Sequence, residues 1–496
     1  MLRLIDAEYT RYSCFSSRRM IESLWDRRCK GNRNRVQRFM QQLGLAGMAP
    51  ASVIFILTMG PTANSIVSFE DCISNLVGCG DWMRETMTEP NYDLLIIGGG
   101  LVGASLACAL EGLNLHIGLV EAAPLTISAH PSYDDRTLAL AQGTRRIFQT
   151  LGLWETLAAA VTPIRQIHVS ERGSPGFAHL DSREEGVEAL GYVAEARLVG
   201  AALLAKLPTL RNVELLCPAR LETVDIQPEA ACATVRCGDK RAMALRTRLL
   251  VAADGAQSPV RQQLGIAALR WDYGQQAVIA NVTPALPHRN VAYERFTPDG
   301  PIALLPMSEN RCAVVCTVSD ADAPAVMALD DAGFLALLHK RFGDRLGPFR
   351  RTGQRQAYPL FLLKSREHAR QRVAIIGNAA HTLHPIAGQG FNLGIRDVAA
   401  LAEVMADAHH AGEDLGDLNV LNRYADWRRW DQRQTIAFTD ALNRLFMNPL
   451  PPVRIARNLG LLAFDLVSPL KRRFARQTMG LDGRVPKLAR GLALSE

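Results

Sequence analysis

From Tyr92 onward, short apolar runs alternate with longer stretches of helical period. Leu94 to Ile97 is a continuous apolar run closed by glycine, the pattern of a strand buried on both faces. An apolar helix-like stretch opens near Leu101, and a second strand, His116 to Val120, ends in Glu121. Apolar runs at Leu249 to Ala253 and Val373 to Ile376 repeat the strand-then-glycine pattern much later. Between them, RQIHVSERG, QAVIANVTP, VAYERFTP and RCAVVCTVS alternate or run apolar between turns, as strands do. The pattern predicts strand–helix units over 91–162, 190–265 and 365–410, with β-rich segments at 163–189 and 266–364 forming a substrate sheet. Residues 411–496 read as C-terminal helices. The expected fold class is α/β, a Rossmann-like nucleotide domain interleaved with a β-rich domain and followed by a helical region.

Residues 1–90 differ. An Arg-rich, helix-like stretch from Ser16 to Arg38 precedes residues 39–69, which carry no charge. A basic stretch before an apolar one resembles a signal or transit sequence, although Asp6 and Glu8 are acidic. The reading favoured here is that translation begins at Met83 or Met87, the latter 11 residues before Gly98. No chemistry is assigned to this extension.

At 496 residues the chain exceeds one ordinary core and predicts about two to four structural units. With 48% hydrophobic and 21% charged residues it is neither disordered, collagen-like nor a disulfide scaffold. No window holds the ~20 apolar residues that span a bilayer. The net charge of +7 sits at the ends. Residues 11–38 hold nine Lys/Arg against Glu22 and Asp26, and residues 444–490 hold ten against Asp465 and Asp482, so the body between is acidic. No aromatic-interleaved basic groove accompanies this charge, which disfavours nucleic acid. Ten cysteines are dispersed without a CxxC pair, so neither a disulfide framework nor a zinc site is expected. Such thiols fit a reducing cytoplasm.

The densest chemistry lies at Gly98-x-Gly100-x-x-Gly103, between the first strand and the first helix. The first glycine permits the tight turn, the second lets backbone approach a pyrophosphate, and the third lets helix and strand pack closely. The helix end meets the phosphate charge with free amides. Glu121, 21 residues beyond Gly100, can accept both ribose hydroxyls of an adenosine. Strand, turn, helix, strand and acid in order predict a dinucleotide site. Whether it takes FAD or NAD stays open on these residues.

Two later motifs narrow this. LLVAADGAQSPVRQQLG places Asp254-Gly255 after a strand, and RVAIIGNAAHTLHPIAGQGFNLGIRD places Gly377-Asn378 after another, with a loop from Pro385 to Gly390 and a helix starting near Phe391. At these motifs the chain resembles the aromatic-ring hydroxylases among flavoprotein monooxygenases, the group typified by para-hydroxybenzoate hydroxylase. It resembles more closely the FAD-dependent hydroxylases of ubiquinone biosynthesis, whose signature HTLHPIAGQGFNLGIRD nearly reproduces. The likeness runs from about Tyr92 to Gly483, through ERFTPDGPIALLPM and WDQRQTIAFTDALNRLF. The family's usual Gly-Asp is Gly377-Asn378 here, a departure shared with the 2-polyprenyl-6-methoxyphenol hydroxylase branch, which the C-terminal text also matches best.

The resemblance implies FAD as cofactor and NAD(P)H as a transient co-substrate. Asn378 would accept a hydrogen bond from a ribityl hydroxyl through its amide oxygen. Pro385, Gly388, Gln389 and Gly390 would position the flavin ring, with the following helix aiming its positive end at the pyrimidine edge and stabilising anionic reduced flavin. Asn392 would cap that helix or bond the ring. Asp254 and Gly255 would lie near the pyrophosphate and ribityl chain, and Arg136, in DDRTLALA, near the flavin and its phosphates. The implied reaction is hydroxylation of a polyprenylated phenol by O2 through a flavin C4a-hydroperoxide. No acid–base residue is singled out, since the hard chemistry is the cofactor's.

Plainer readings accompany several residues. His381 and His384 have a metal-like i,i+3 spacing, but the sequence joins no carboxylate or Cys cluster to them, and no metal is expected. Asp134 and Asp135 read as a solvated loop rather than a general-acid pair. Trp427 and Trp430 read as helix packing. Residues 453–476, VRIARNLGLLAFDLVSPLKRRFAR, combine an apolar stretch with Lys471, Arg472, Arg473 and Arg476, which suits an anionic membrane surface. The alternative is a helix covering the domain. The expected location is cytoplasmic, peripheral on the inner membrane. Expected partners are the phenol, O2 and a ubiquinone-biosynthesis enzyme complex. A non-catalytic FAD-binding component of such a complex, or another ring hydroxylase, is the competing reading. A halogenase is disfavoured because no tryptophan lies in a Trp-x-Trp-x-Ile-Pro segment.

Overall fold

The computed structural model describes residues 31–32, 55–57, 91–125, 136–238, 242–448 and 450–494. The chain divides into two units, Met1–Thr88 and Glu89–Glu496. In the first, Gly31–Asn32 and Phe55–Leu57 pair antiparallel. Met83, Met87, Asp134, Asp135 and the cysteines at 14, 29, 72 and 79 lie outside the described residues.

The second unit is built on two large sheets. In the first, strands Val213–Leu216, Ile117–Val120, Tyr92–Ile97, Met243–Ala252, Ala231–Cys237 and Ala219–Ile226 lie side by side in that order. Leu94, Leu95, Ile96, Leu249, Leu250 and Val251 are wholly buried, as continuous apolar strands covered on both faces must be. The pairings at the centre are parallel. Ile97 stands opposite Val120 and Ala252, and Ala252 opposite Ile375 of the strand Val373–Ile375. Four strand ends therefore fall in one line. Whatever follows them in sequence, the glycine turn, Glu121, Asp254 and Gly377, is gathered at one edge of the sheet.

The second sheet orders His381–Thr382, Gln356–Ser365, Ala268–Pro284, Cys312–Ser319, Ile302–Pro306, Val291–Phe296, Gln166–Glu171 and Phe177–Asp181, with Phe349–Thr352 on Ala268–Pro284. Its strands are apolar on both faces, with a period of two. Val278, Ala280, Ile302, Leu304, Val314 and Cys316 pack on Phe334, Leu338 and Phe342 of the helix Asp331–Phe342. The alternate positions, including Ala277, Ile279, Ala303, Leu305 and Val315, line a cavity. A three-stranded sheet of Thr137–Ala141, Gly191–Glu195 and Thr162–Ile164 completes the β structure.

Helices Gln389–His410 and Leu418–Met447 pack on each other. The stretch read as one amphipathic segment divides into Pro451–Leu466 and Ser468–Thr478, broken at Val467 with Pro469 in the next turn. A proline there cannot continue the preceding hydrogen-bond ladder. Trp427 meets its expectation, its indole N–H donating to the Arg484 carbonyl at 3.0 Å. Trp430 does not: it is 67% exposed and does not pack in the core. Among the described residues no helix is long and apolar enough to cross a membrane.

Candidate active site

A cavity of about 1290 Å³ runs from the first sheet's edge along the second sheet to the C-terminal helices. Its lining includes Gly98, Gly100, Glu121, Arg136, Asp254, Gly255, Asn378, Pro385, Gly388, Gln389, Gly390 and Asn392, residues up to 294 positions apart in sequence. Gly103 and Gly377 stand just behind this lining. A Cβ on Gly103 would overlap the Gly98 carbonyl oxygen, so helix and turn meet there only because position 103 has no side chain. Gly98 takes φ +106°, and a Cβ would come within 2.5 Å of the Ala253 carbonyl oxygen. Helix Leu101–Ala109 opens at Gly100 with no side-chain cap and no acidic residue in its first turn. Its free amides are left for an anion.

Glu121 is buried. Its two oxygens accept the Gly99 and Ala123 amides, each at 2.7 Å. A carboxylate retains further acceptor positions after two such bonds. Asp254 holds the Val260 amide at 3.0 Å with Oδ2, while Oδ1 is buried without a protein partner. Burial pushes its pKa above the usual carboxylate value. An orphaned buried oxygen beside a glycine cradle fits a ligand that brings hydroxyls. Arg136 lies over the Tyr358 ring at 5.2 Å, on the same cavity.

The loop Pro385–Gly390 has an unusual backbone. Ala387 and Gly388 both take φ +59°, and helix Gln389–His410 starts at Gln389, two residues before the position expected. A left-handed alanine costs about 1–2 kcal/mol. Its amide faces the Glu294 carboxylate of the second sheet. No side chain caps the helix, and a Cβ at Gly390 would meet open space. Asn392 departs from expectation. Its oxygen accepts the Ala141 amide and the Thr144 hydroxyl at 2.8 Å each, and its nitrogen donates to Ala139 at 2.7 Å and Gly388 at 2.9 Å. All four bonds of the amide are used. It ties the loop to strand Thr137–Ala141 and has none left for a ring.

Behind the loop lies a network that sequence reasoning missed. The reading joined no carboxylate to His381, yet its Nε2 lies 2.6 Å from Asp397 Oδ2, both residues fully buried. Asp397 also accepts from Arg428 Nε at 2.8 Å, Gln432 Nε2 at 2.9 Å and the Gly377 amide at 3.2 Å. His381 and Arg428 hold its carboxyl well below the usual range. This ties Gly377 to the long helix Leu418–Met447. Among the described residues no three His, Cys, Asp or Glu side chains gather as a metal site. Burial pushes His384 down to about 4 and so keeps it neutral. Glu294 was also missed. The signal was there: it is the single charged residue at a strand position whose same-face neighbours, Ala292 and Phe296, are apolar.

The FAD binding domain family matches residues 91–439. The chain is 40% identical over 405 residues to "Ubiquinone hydroxylase UbiL" of Rhodospirillum rubrum, covering 81% of this chain and 93% of that protein. The chain belongs to the FAD-dependent hydroxylases of ubiquinone biosynthesis. To the Escherichia coli 3-demethoxyubiquinol 3-hydroxylase this hydroxylase is 32% identical, covering 80% of the chain and all of the relative. To human ubiquinone biosynthesis monooxygenase COQ6 it is 30% identical, covering 78% and 92%. Crystalline p-nitrophenol 4-monooxygenase PnpA from Pseudomonas putida shares the fold, with a TM-score of 0.66 at 20% identity over 80% of this chain and all of that one. This hydroxylase is therefore an FAD-dependent monooxygenase, and NAD(P)H is the reductant typical of its family. The glycine cradle, the orphaned Asp254 oxygen and the uncapped start of helix Gln389–His410 fit that cofactor.

Proposed function

We propose that this hydroxylase adds a hydroxyl group to the aromatic ring of a polyprenylated phenol, working at a membrane surface. The observation that carries the reading is the cavity's continuity. From the flavin loop it follows the apolar sheet wall and ends beneath Phe438, Leu442, Phe446, Leu461, Phe464 and Phe474 of the three C-terminal helices. At about 1290 Å³ it exceeds the roughly 300–1,000 Å³ of ordinary ligand pockets. Part of that volume belongs to FAD, and the apolar remainder suits a ring with a hydrocarbon tail. The names of the relatives, ubiquinone hydroxylases among them, point the same way.

When bound, FAD supplies the reduction by NAD(P)H and the activation of O2. The chain's own residues bind and orient. Gly98, Gly100 and the amides after them offer a phosphate cradle, and Glu121 offers acceptors for ribose. Asn378 stands exposed toward the cavity with an amide oxygen for a ribityl hydroxyl. The uncapped amide end at Gln389 favours negative charge beside it. The sheet wall excludes water from the ring.

The C-terminal helices support the membrane reading. In Pro451–Leu466, Leu461 and Phe464 face inward to the cavity, whereas Ile455, Leu459 and Leu466 are 63%, 62% and 81% exposed. One helix is thus apolar toward both the cavity and the outside. Lys471 is paired with Glu184 and Asp465, but Arg472, Arg473 and Arg476 stand exposed without an ion pair to a described residue. Exposed apolar and basic side chains together favour an anionic lipid surface. Assembly with other ubiquinone-biosynthesis enzymes is part of the same proposal, as is the 6-methoxyphenol ring position.

The test is substrate-stimulated NAD(P)H oxidation by the FAD-loaded protein, with hydroxylated product identified by mass. Stimulation with product is expected from a 2-polyprenyl-6-methoxyphenol. Bound flavin with no stimulation by any polyprenylphenol would leave the non-catalytic reading standing instead.

A further inference from the structure

We infer that Glu294 is the proton acceptor for the phenol's ring hydroxyl, placed where the apolar sheet wall meets the flavin loop. The inference rests on the phenol-hydroxylase reading above and adds the acid–base group that the sequence did not expose.

Glu294 lies in strand Val291–Phe296, opposite Ala303 on one side and Val169 on the other. Both neighbours line the cavity and neither is polar. Phe438, Leu442 and Phe446 face the same space from the long helix, and Pro385 to Gly388 bring no titratable side chain from the loop. The other ionisable residues on the lining lie elsewhere. Glu121, Arg136, Arg220 and Asp254 belong to the nucleotide end, Tyr358 lies under Arg136, and the Tyr293 ring packs on Phe342 and His168. Among the described residues, Glu294 is thus the one carboxylate on the wall.

Its surroundings do not explain it structurally. It has no ion pair with a described Lys, Arg or His, and it faces the Ala387 amide. A carboxylate in such an apolar site is costly to keep charged. Burial pushes it up to about 7. That value makes it a base near neutral pH, where general bases are most effective.

The step balances as follows. The phenol O–H bond breaks, its proton goes to Glu294, and its electron pair moves into the ring. The enriched ring carbon bonds to a hydroxyl oxygen derived from O2, then sheds its own hydrogen as a proton, which the second oxygen atom takes up. Glu294 returns a proton to the ring oxygen. The second oxygen atom leaves as water, and the two electrons come from NAD(P)H.

The sign follows from the direction of the shift. The carboxylate form accepts the proton, so the hydroxylation rate rises with pH through about 7 and then levels. Glu294→Gln keeps the size and shape of the side chain and loses the base. We expect FAD content and reduction by NAD(P)H to be retained, product formation to fall on the order of 100-fold, the acid limb to vanish, and Glu294→Asp to restore part of the rate. A second readout is the affinity for 2-prenylphenol, followed by its ultraviolet difference spectrum, which should rise with pH through about 7 in wild type and be flat in Glu294→Gln. A Gln variant that hydroxylates at the wild-type rate with the same acid limb overturns the inference, as does a wild-type affinity without that pH dependence. Should wild type hydroxylate no polyprenylphenol while the affinity still depends on Glu294, the substrate reading falls and the proton acceptor stands.

Discussion

In the glycine cradle, Gly98, Gly100 and Gly388 bring main chain to the cavity lining, and Gly103 lets the helix pack closely behind it. On the sheet wall and under the C-terminal helices, Ile279, Leu305, Phe446 and Phe464 do the work with side-chain bulk, and Glu294 is the one charge among them. The two regions share a cavity but tolerate change differently. Backbone recognition depends on a few positions where one added carbon collides with main chain. Side-chain recognition spreads over many positions, each contributing a share of buried area.

The difference can be broken by substitution. Gly103→Val is expected to have the largest effect, with no measurable FAD retained, because its side chain must displace the Gly98 carbonyl. The absorbance ratio of flavin to protein after purification measures this, and a normal ratio would mean that the cradle does not depend on close packing. Asp397→Ala comes next. It leaves His381 without its buried carboxylate and Arg428 with Asp431 alone, and losing one partner of a buried pair costs about 3–5 kcal/mol. Denaturant unfolding of the FAD-loaded protein should show it. In the wild type the Asp397 carboxyl is depressed in the folded state. Its contribution is present above the unfolded carboxylate value near 3.9 and drains as pH falls through the folded one. The variant's acid unfolding should therefore be shallower.

Two smaller effects belong to the other region. Replacing Ile455 and Leu459 together by Glu should cut binding to vesicles containing anionic lipid by about tenfold or more, given ~1.5 kcal/mol or more per apolar side chain withdrawn from water. Activity on a short-chain, soluble phenol should be unchanged. Phe464→Ala should raise KM for a long-chain phenol by about three- to tenfold through lost apolar contact, with FAD content intact. A loss of FAD in Phe464→Ala would show that the two regions are not separable.

The cradle was legible because its chemistry requires particular residues at particular spacings. Gly98, Gly100, Gly103, Glu121, Asp254 and Gly377 each follow a recognisable apolar strand, and parallel strands in register carry them to one edge. Asn392 was legible as important and misread in role, because its bonds to Ala139, Ala141 and Thr144 cross about 250 positions of sequence. The Asp397 network was invisible for the same reason. Its members come from a short strand, the turn before it and two helices, and no local pattern marks a carboxylate as buried.

The amino-acid sequence by itself determined the strand–turn–helix cradle, the cofactor class and the two-faced apolar strands, because these depend on periodicity and on glycine at fixed intervals. Only the tertiary structure decided that Glu294 lies on an apolar wall and faces the loop at Ala387. Only there did Asp397 meet His381, and only there did the basic C-terminal stretch divide into a paired Lys471 and exposed arginines. Burial and partnership are properties of the packed chain, and they set what a carboxylate or an arginine can do.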